Sequence, residues 1–298
     1  MSALFGVAGN SETFTRTVSK ATVDAPRWLN LIGLDAYEYQ CGRGVHISQT
    51  SAQKIKEEAE RWQITMSVHA PYFINLANPA EESLRKNIGY VLSSCEAARW
   101  LGAWRIVLHT GALMKRSRQA ALETAKQSLL AILAACDAAG YSDLILCPET
   151  MGKVNQLGDL DEVLELCRLD ERLKPCVDFG HLYARTMGAL DGAEAMKALL
   201  DRMAHVLGEE RASTFHSHFS HIEFTAKGGE KRHLTFGDSM GYGPDFQPLA
   251  EEIARRGWNP TIICESAGTQ SEDAVEMKKR YRQALKQLSS YPNTSKTQ

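Results

Sequence analysis

Short apolar runs rich in β-branched and aromatic residues alternate along the chain with longer stretches in which apolar residues recur at helical spacing. The clearest helical stretches are 81–100 and 119–138, and the first connection, 11–31, is interrupted by Pro26. The short runs predict eight strands, at 4–7, 35–39, 64–69, 106–109, 144–148, 174–178, 219–224 and 261–265. Repeated βα units favour a parallel sheet, and eight of them fit a closed barrel better than an open sheet. We therefore predict an α/β fold, a single (β/α)8 TIM-barrel domain over residues 1–288, followed by a polar, flexible tail at 289–298.

Composition supports a large folded core but does not identify a partner. The 298 residues are 44% hydrophobic and 23% charged, which excludes a disordered chain, and the formal net charge of −2 gives no global field that would attract nucleic acid. A DNA-binding protein with this balance needs locally clustered positive charge. There is no Gly-rich nucleotide loop, no Walker loop and no GxSxG motif.

The cysteines and the chain ends bear on the compartment. Seven cysteines, an odd number with no CxxC pair, lie mostly in apolar runs, which is typical of reduced, buried thiols. The N-terminal residues lack the charged and apolar segments of a signal peptide, and no apolar run is long enough to cross a membrane. We expect a cytoplasmic protein without a membrane partner and without an obligate protein partner.

Acidic residues and histidines end six consecutive predicted strands, the third to the eighth. They stand in SVHAPY, IVLHTG, ILCPET, CVDFGH, HSHFSHIEF and IICES, and the run AKGGEKRH adds one more histidine. Taken alone, each histidine is more often a hydrogen-bonded core or surface residue than a ligand. In a barrel, however, all strand ends meet at the C-terminal rim, where active sites are built, and imidazoles and carboxylates bind first-row metals. The candidate ligands are His69, His109, Glu149, Asp178, His181, His218, His233 and Glu265. This set exceeds what one ion needs, so we predict a multimetal site at the rim.

Several segments together resemble endonuclease IV, the zinc-dependent apurinic/apyrimidinic endonuclease family 2 of the xylose-isomerase-like barrels. The matching segments are SVHAPYFINLANP, VLHTGA, CPETMGKVNQLG, CVDFGHLYA, the region from His218 to His233, and ICESAG. The resemblance implies a (β/α)8 barrel with three zinc ions that cleaves the phosphodiester 5′ to abasic sites in duplex DNA.

Carried over by position, the resemblance also implies a role for each ligand. His69 and His109 would bind one Zn²⁺, which Glu149 would bridge to a second. Asp178, His218 and Glu265 would complete the second site, and His181 and His233 would hold the third. The family's spacing selects His218 over His216 and His221, which become structural or supporting residues. Glu149 and Glu265 are the catalytic carboxylates, and Glu149 would help to orient the attacking hydroxide.

One position departs from the family pattern. The family has an aspartate two residues before the histidine matched by His233, and here that position is Lys231. Because a protonated lysine has no lone pair for a metal, either Glu230, one step earlier, supplies the carboxylate, or the third metal is weakened or absent. A sharper hypothesis places the Lys231 ammonium where the third zinc would be, as a fixed positive charge for the phosphate. The expected cofactor is therefore two or three Zn²⁺ ions, with Mn²⁺ as the alternative metal.

The segments predicted to contact duplex DNA are short. Tyr72 and Phe73 follow the third strand and would wedge into the base stack, or would instead pack the mouth of the barrel. The segment after the second strand lacks the family's usual polar, arginine-containing loop, for which Arg43 could substitute. Lys231 and Arg232 would meet phosphate.

The main rival is a sugar isomerase or epimerase of the same group of barrels. A single Mn²⁺ or Mg²⁺ site in such an enzyme would use Glu149, Asp178, His218 and Glu265, with two carboxylates moving a proton on a bound ketose. The discriminating residues are His69, His109 and His233, which a mononuclear isomerase does not need. A non-catalytic metal-binding or DNA-damage-binding module is the third alternative.

Overall fold

Eight parallel strands form a closed barrel in the structure, a computed structural model that describes residues 2–290. Around the barrel they follow the order β1, β10, β7, β6, β5, β4, β3, β2. The strands are β1 (Leu4–Ala8), β2 (Ala36–Gln40), β3 (Thr65–His69), β4 (Arg105–His109), β5 (Ile145–Glu149), β6 (Cys176–Asp178), β7 (His216–Phe219), a hairpin of β8 (Ile222–Thr225) and β9 (Gly229–His233), and β10 (Thr261–Cys264). The predicted single (β/α)8 barrel is confirmed.

Helices follow the strands and surround the barrel. They are α1 (Glu12–Thr17), α2 (Ala25–Leu31), α3 (Gln49–Arg61), α4 (Glu81–Leu101), α5 (Arg118–Ala138), α6 (Leu160–Cys167), α7 (Phe179–Arg185), α8 (Gly192–Leu207), α9 (Glu209–Ala212), α10 (Gln247–Arg256) and α11 (Gln270–Ser290). The two clearest predicted helices correspond to α4 and α5, within one residue at each end. Among the described residues, no helix is both long enough and apolar enough to cross a membrane.

Local signals fix several helix ends. Ser117 accepts a hydrogen bond from the Ala120 amide at the start of α5, and Gly102 ends α4 in the left-handed conformation that favours glycine. Asp159 and Glu162 form a reciprocal capping box at the start of α6. These caps satisfy backbone groups that a helix end leaves unpaired, so the helices stop where the strands and rim loops must begin.

The two faces of the barrel strands differ in chemistry. Outward-facing residues such as Phe5, Ile106 and Leu108 join a large apolar layer shared with the helices. Inside the barrel, a small apolar cluster of Val107, Cys147 and Cys176 is separate from that layer. Polar side chains such as Glu38 and His216 also face the interior, and Arg105 closes its N-terminal end by donating to the Thr214 and Phe215 carbonyls.

Two boundaries differ from the sequence-based expectation. The sequence predicts the seventh barrel strand at 219–224, but β7 ends at Phe219, and the following residues form the first strand of the β8–β9 hairpin. The apolar and aromatic residues of both strands form one run in the sequence, which hides the break between them. Helix α11 reaches Ser290, so the first two residues of the predicted tail are helical. The rest of that tail, 291–298, lies outside the described residues.

Candidate metal centre

The carboxyl ends of the strands bring all eight predicted ligands around one cavity of about 380 Å³ or directly beneath it. We define two groups of side chains. The inner cluster comprises His69, His109, Glu149, Asp178, His218 and Glu265. The outer cluster comprises His181, Glu230 and His233. The two clusters touch, because His181 Nδ1 lies 3.2 Å from Asp178 Oδ2. Metal ligation by these residues stays a prediction, but their convergence is a feature of the fold.

Glu149 lies at the centre of the inner cluster, and its two oxygens face different partners. Oε2 lies 3.3 Å from Nε2 of both His69 and His109, whereas Oε1 lies 3.0 Å from Nδ1 of His218. Burial opposes ionisation of this carboxyl, but His218, His109 and His69 together hold its pKa well below the usual value. Glu149 is therefore an ionised carboxylate with one oxygen directed at each of two donor sets.

Asp178 has two functions at the junction of β6 and α7. Its Oδ1 caps the short helix by accepting from the His181 amide at 2.7 Å, and this bond places His181 beside the cavity. Its Oδ2 is buried and has no hydrogen-bond partner among the described residues. Glu149, Glu265 and His218 all offer ligand atoms close to Asp178. Three carboxylates at such short range repel one another, and an unpaired buried oxygen is costly, so this donor set fits a divalent cation.

The pKa shifts of the inner residues also indicate that this group of side chains needs positive charge. Burial alone would lower the pKa of His69, but the neighbouring Glu149 carboxylate raises it to about 9. Burial likewise opposes protonation of His218, yet Cys176 and the surrounding carboxylates raise its pKa well above the usual value. Burial raises the pKa of Asp178. Without a metal, protons supply the positive charge that the clustered carboxylates require.

The outer cluster depends on the hairpin, which sequence analysis treated as a loop. Strand β9 pairs with β8 in antiparallel register, but a bulge shifts the pairing between Glu223 and Phe224. As a result, Lys231 and Arg232 both oppose and bind Glu223, while Glu230 pairs with Phe224. Bulges of this kind redirect a side chain, often beside active sites.

The bulge bears on the sequence-based alternatives for the third site. Glu230 Oε2 lies 3.6 Å from His181 Nε2 and belongs to the outer cluster with His233. Lys231 points away, with its ammonium 2.5 Å from Glu223 Oε1 and its side chain 53% exposed. The structure therefore favours Glu230 as the carboxylate of the third site over a Lys231 ammonium in its place, and metal ligation there stays a prediction.

A glycine in the loop after β5 makes room for this arrangement. A Cβ atom added to Gly152 would lie 2.7 Å from the Glu230 Cβ and 3.1 Å from the His181 ring. The Gly152 carbonyl also accepts a hydrogen bond from the Glu230 amide. The loop after β5 therefore holds the hairpin against α7, and a larger residue at 152 would push the two outer ligands apart.

Among the residues predicted to meet DNA, Tyr72 lines the cavity, and Phe73 and Arg43 contact Tyr72. Tyr72 and Phe73 are each 46% exposed, and their ring centroids lie 4.4 Å apart with the planes tilted by 50°, so they do not fill the barrel mouth as core residues do. Arg43 donates to the Tyr72 hydroxyl at 3.0 Å. Lys231 and Arg232 lie on the outer surface of the hairpin, where Glu223 partly neutralises them. Contact with DNA stays a prediction for all five.

Glu38, in the middle of β2, is an acidic residue below the cavity that the strand-end pattern does not single out. It is fully buried and contacts His216, His218, Ser67 and Gln40. Burial opposes its ionisation, but His218 and His216 hold its pKa well below the usual value. The signal was present in AYEYQ, because strand alternation places the residue between two tyrosines on the opposite face from them, inside the barrel.

The remaining histidines of HSHFSH and the cysteines take structural positions. His216 is buried and bonded to Glu38, and His221 stacks on Phe236 with ring centroids 4.7 Å apart. All seven cysteines are free and buried, and burial raises the pKa of Cys41, Cys147 and Cys264 to about 12. These three thiols are unsuited to nucleophilic chemistry at neutral pH.

Comparison with known proteins agrees with this architecture. The family model for the xylose isomerase-like TIM barrel matches residues 26–291. The chain belongs to that family. Among curated relatives of this family member, an uncharacterized protein of Methanocaldococcus jannaschii is 34% identical, covering 88% of this chain and 91% of the relative. A probable endonuclease 4 of Streptomyces avermitilis is 30% identical, covering 72% of this chain and 70% of the relative.

Solved structures of both functional kinds share the fold of this family member. Endonuclease IV from Thermus thermophilus superposes with a TM-score of 0.68 at 19% identity, covering 95% of this chain and 99% of that chain. A D-tagatose 3-epimerase-like protein superposes with a TM-score of 0.70 at 20% identity, covering 96% and 98%. At these identities the superpositions establish the barrel, and the chemistry must be argued from the site.

Proposed function

We propose that this protein is a zinc-dependent endonuclease that cleaves the phosphodiester 5′ to abasic sites in duplex DNA. One observation carries the proposal: Glu149 directs one oxygen to His69 and His109 and the other to His218. A carboxylate placed between two donor sets is suited to bridge two ions, and polynuclear zinc sites suit phosphoester hydrolysis. The relationship to probable endonuclease 4 proteins supports the same reaction class.

The chain's residues would divide the work as follows. His69 and His109 hold one Zn²⁺, and Asp178, His218 and Glu265 hold a second, with Glu149 shared between them. His181, Glu230 and His233 hold a third. Zinc, when bound, supplies positive charge at the phosphodiester and activates water at neutral pH. Glu149 fixes the spacing of the two inner donor sets, because its carboxylate is held by three histidines.

The rim would handle the DNA. Tyr72 and Phe73 present two contacting, exposed rings next to the cavity, and inserted side chains of this kind unstack and kink a duplex. Arg43 steadies the pair through the Tyr72 hydroxyl. Lys153 lines the cavity, and its ammonium supplies a cation for a bound phosphate. The Lys153 ammonium thus provides local positive charge beside the cavity, although the net charge of the whole chain is only −2.

A mononuclear Mn²⁺ or Mg²⁺ epimerase is the second candidate, and a specific observation favours it. Glu149, Asp178, His218 and Glu265 form a four-residue group that can hold one hard ion without the other histidines. The epimerase does not account for the outer cluster, nor for the two histidines directed at the second oxygen of Glu149.

Two measurements on the purified protein separate these candidates. Elemental analysis gives the metal and its stoichiometry, and an incision assay uses duplex DNA with one abasic site. We expect two or three zinc ions per chain and a cut 5′ to the lesion. A matched duplex without the lesion is the control and should stay intact. One manganese per chain with ketose epimerisation and no incision would replace this proposal with the second candidate.

A further inference from the structure

Glu38 lies deep inside the barrel, below the cavity, where four polar groups surround its carboxylate. Its Oε1 accepts from Gln40 at 3.1 Å and contacts His218 Nε2 at 2.9 Å. Its Oε2 accepts from Ser67 at 2.9 Å and contacts His216 Nε2 at 2.8 Å. Both histidines stand on β7, three strands from β2 around the barrel, so these contacts cross the barrel interior between strands that are not neighbours.

These contacts determine which nitrogen of His218 carries a proton. An ionised carboxylate only accepts hydrogen bonds, so the Nε2 atom that faces Glu38 must be the donor. The other nitrogen, Nδ1, then faces the metal candidates, 3.0 Å from Glu149 Oε1 and 3.6 Å from Glu265 Oε2. In a neutral ring with Nε2 protonated, Nδ1 carries the lone pair that a metal needs.

The other candidate ligands are held differently. His69 and His181 direct Nδ1 to the backbone carbonyls of Ala70 and Thr150, and His233 directs Nδ1 to the Ser220 hydroxyl. Each of these rings therefore presents Nε2 to its cluster, whereas His218 presents Nδ1. Within residues 2–290, His218 differs from these three in having a carboxylate behind the ring, and a carboxylate makes an imidazole a stronger ligand than a carbonyl does.

We infer that Glu38 is a positioning residue for the metal centre, which fixes the tautomer and orientation of His218 so that His218 binds through Nδ1. This inference rests on the proposed function only in requiring a metal at the inner cluster. Glu38 itself touches neither substrate nor metal, since the imidazole ring separates it from the site. Its burial and its four donors leave it no freedom to turn toward the cavity.

The first test measures zinc affinity of the inner cluster by competition with a coloured chelator. In Glu38→Gln, the amide has one acceptor oxygen and one NH2 donor, so it cannot accept hydrogen bonds from both His216 and His218. The His218 tautomer is then no longer fixed. We expect about 10- to 100-fold weaker zinc binding, the range typical of lost supporting carboxylates. The matched control is Glu162→Gln, which changes a buried carboxylate in the α6 capping box and should leave zinc affinity within about twofold. A folded Glu38→Gln protein with wild-type affinity would overturn the inference.

The second test uses no variant, so it applies even where Glu38→Gln does not fold. Long-range proton–nitrogen NMR on the zinc-loaded wild type reads the tautomer of each histidine. We expect His218 with a proton on Nε2 and zinc on Nδ1, and His69 with the reverse. A zinc-bound Nε2 on His218 overturns the inference and leaves the proposed function standing. A wild-type chain that binds no metal would remove the proposed function and the inference together.

Discussion

The inner and outer clusters lie side by side, but they are built on different parts of the fold. The inner residues end barrel strands, where the parallel register aligns His109 with Glu149 and Asp178 with His218. The outer residues come from a short helix and a two-stranded hairpin, and a bulge at Lys231 decides which side chain reaches the site. The inner geometry is therefore fixed by the closed sheet, whereas one residue of slippage in the hairpin would undo the outer geometry.

The largest expected effect comes from breaking the inner cluster at its shared residue. Glu149→Gln keeps the shape but removes the charge that links His69 and His109 to His218. We expect incision to fall by about 1000-fold or more, because several kcal/mol of charge stabilisation depend on the metals it holds. Elemental analysis should show the loss of at least one zinc per chain.

The control for that loss is again Glu162→Gln, a buried glutamate that is paired with Arg118 away from the cavity. It should cost stability without changing metal content. Incision by Glu149→Gln within about tenfold of wild type would mean that the inner cluster does not work as a bridged unit, since a tenfold change corresponds to only about 1.4 kcal/mol.

The outer cluster offers a matched pair of neighbouring variants. Glu230→Gln removes the carboxylate beside His181, whereas Lys231→Gln removes a charge that points to Glu223. We expect Glu230→Gln to lose about one zinc per chain and to lower incision roughly 100-fold, less than Glu149→Gln, because the inner ions remain. Lys231→Gln should keep its full zinc content.

The reverse pattern would restore the lysine alternative and would contradict the bulged register of the hairpin. A loss of zinc in both variants would indicate instead that the whole hairpin shifts when either charge is removed.

A third change, Gly152→Ala, tests the same cluster sterically, because the new methyl would collide with Glu230. Its zinc loss should match that of Glu230→Gln.

The same comparison shows what the sequence could and could not reveal. The eight βα units and most of the candidate ligands were predictable, because strand ends such as IVLHTG and ILCPET follow apolar runs and must meet at the rim. The carboxylate of the third site was not, because a bulge changes which of two adjacent residues faces inward and leaves no mark in the sequence. Glu38 was overlooked for another reason: it lies in mid-strand, and its importance depends on contacts through the barrel interior with β7, which is not its neighbour in the sheet.

A smaller effect is expected at the rim, which no barrel strand holds in place. Phe73→Ala removes an exposed ring that contacts Tyr72. We expect roughly tenfold weaker binding to duplex DNA with an abasic site, the loss typical of one aromatic contact to bases, and unchanged zinc content. Binding is measured by fluorescence anisotropy with labelled duplex. Tyr72→Phe is the control, because it removes only the hydrogen bond from Arg43 and keeps the ring. Equal binding by Phe73→Ala and wild type would favour a packing role for this pair.

The smallest expected effect is a change of melting temperature with pH in the metal-free protein, where bound protons supply the positive charge of both clusters. The pKa of His69 in the inner cluster and of His181 in the outer cluster is raised to about 9 in the fold, against roughly 6.5 for an unfolded histidine. For His69 the cause is the Glu149 carboxylate, and for His181 it is Asp178, each acting against burial.

A group whose pKa is higher in the fold binds its proton more tightly there, so its stabilisation is complete below about pH 6.5 and is lost as the pH rises through about 9. Metal-free protein should therefore melt a few degrees lower at pH 9 than at pH 6.5, whereas zinc-loaded protein should change less over this range, because zinc replaces the protons. Calorimetry on chelator-treated and zinc-loaded samples measures both, and a metal-free melting temperature that rises toward pH 9 would contradict this account of the two clusters.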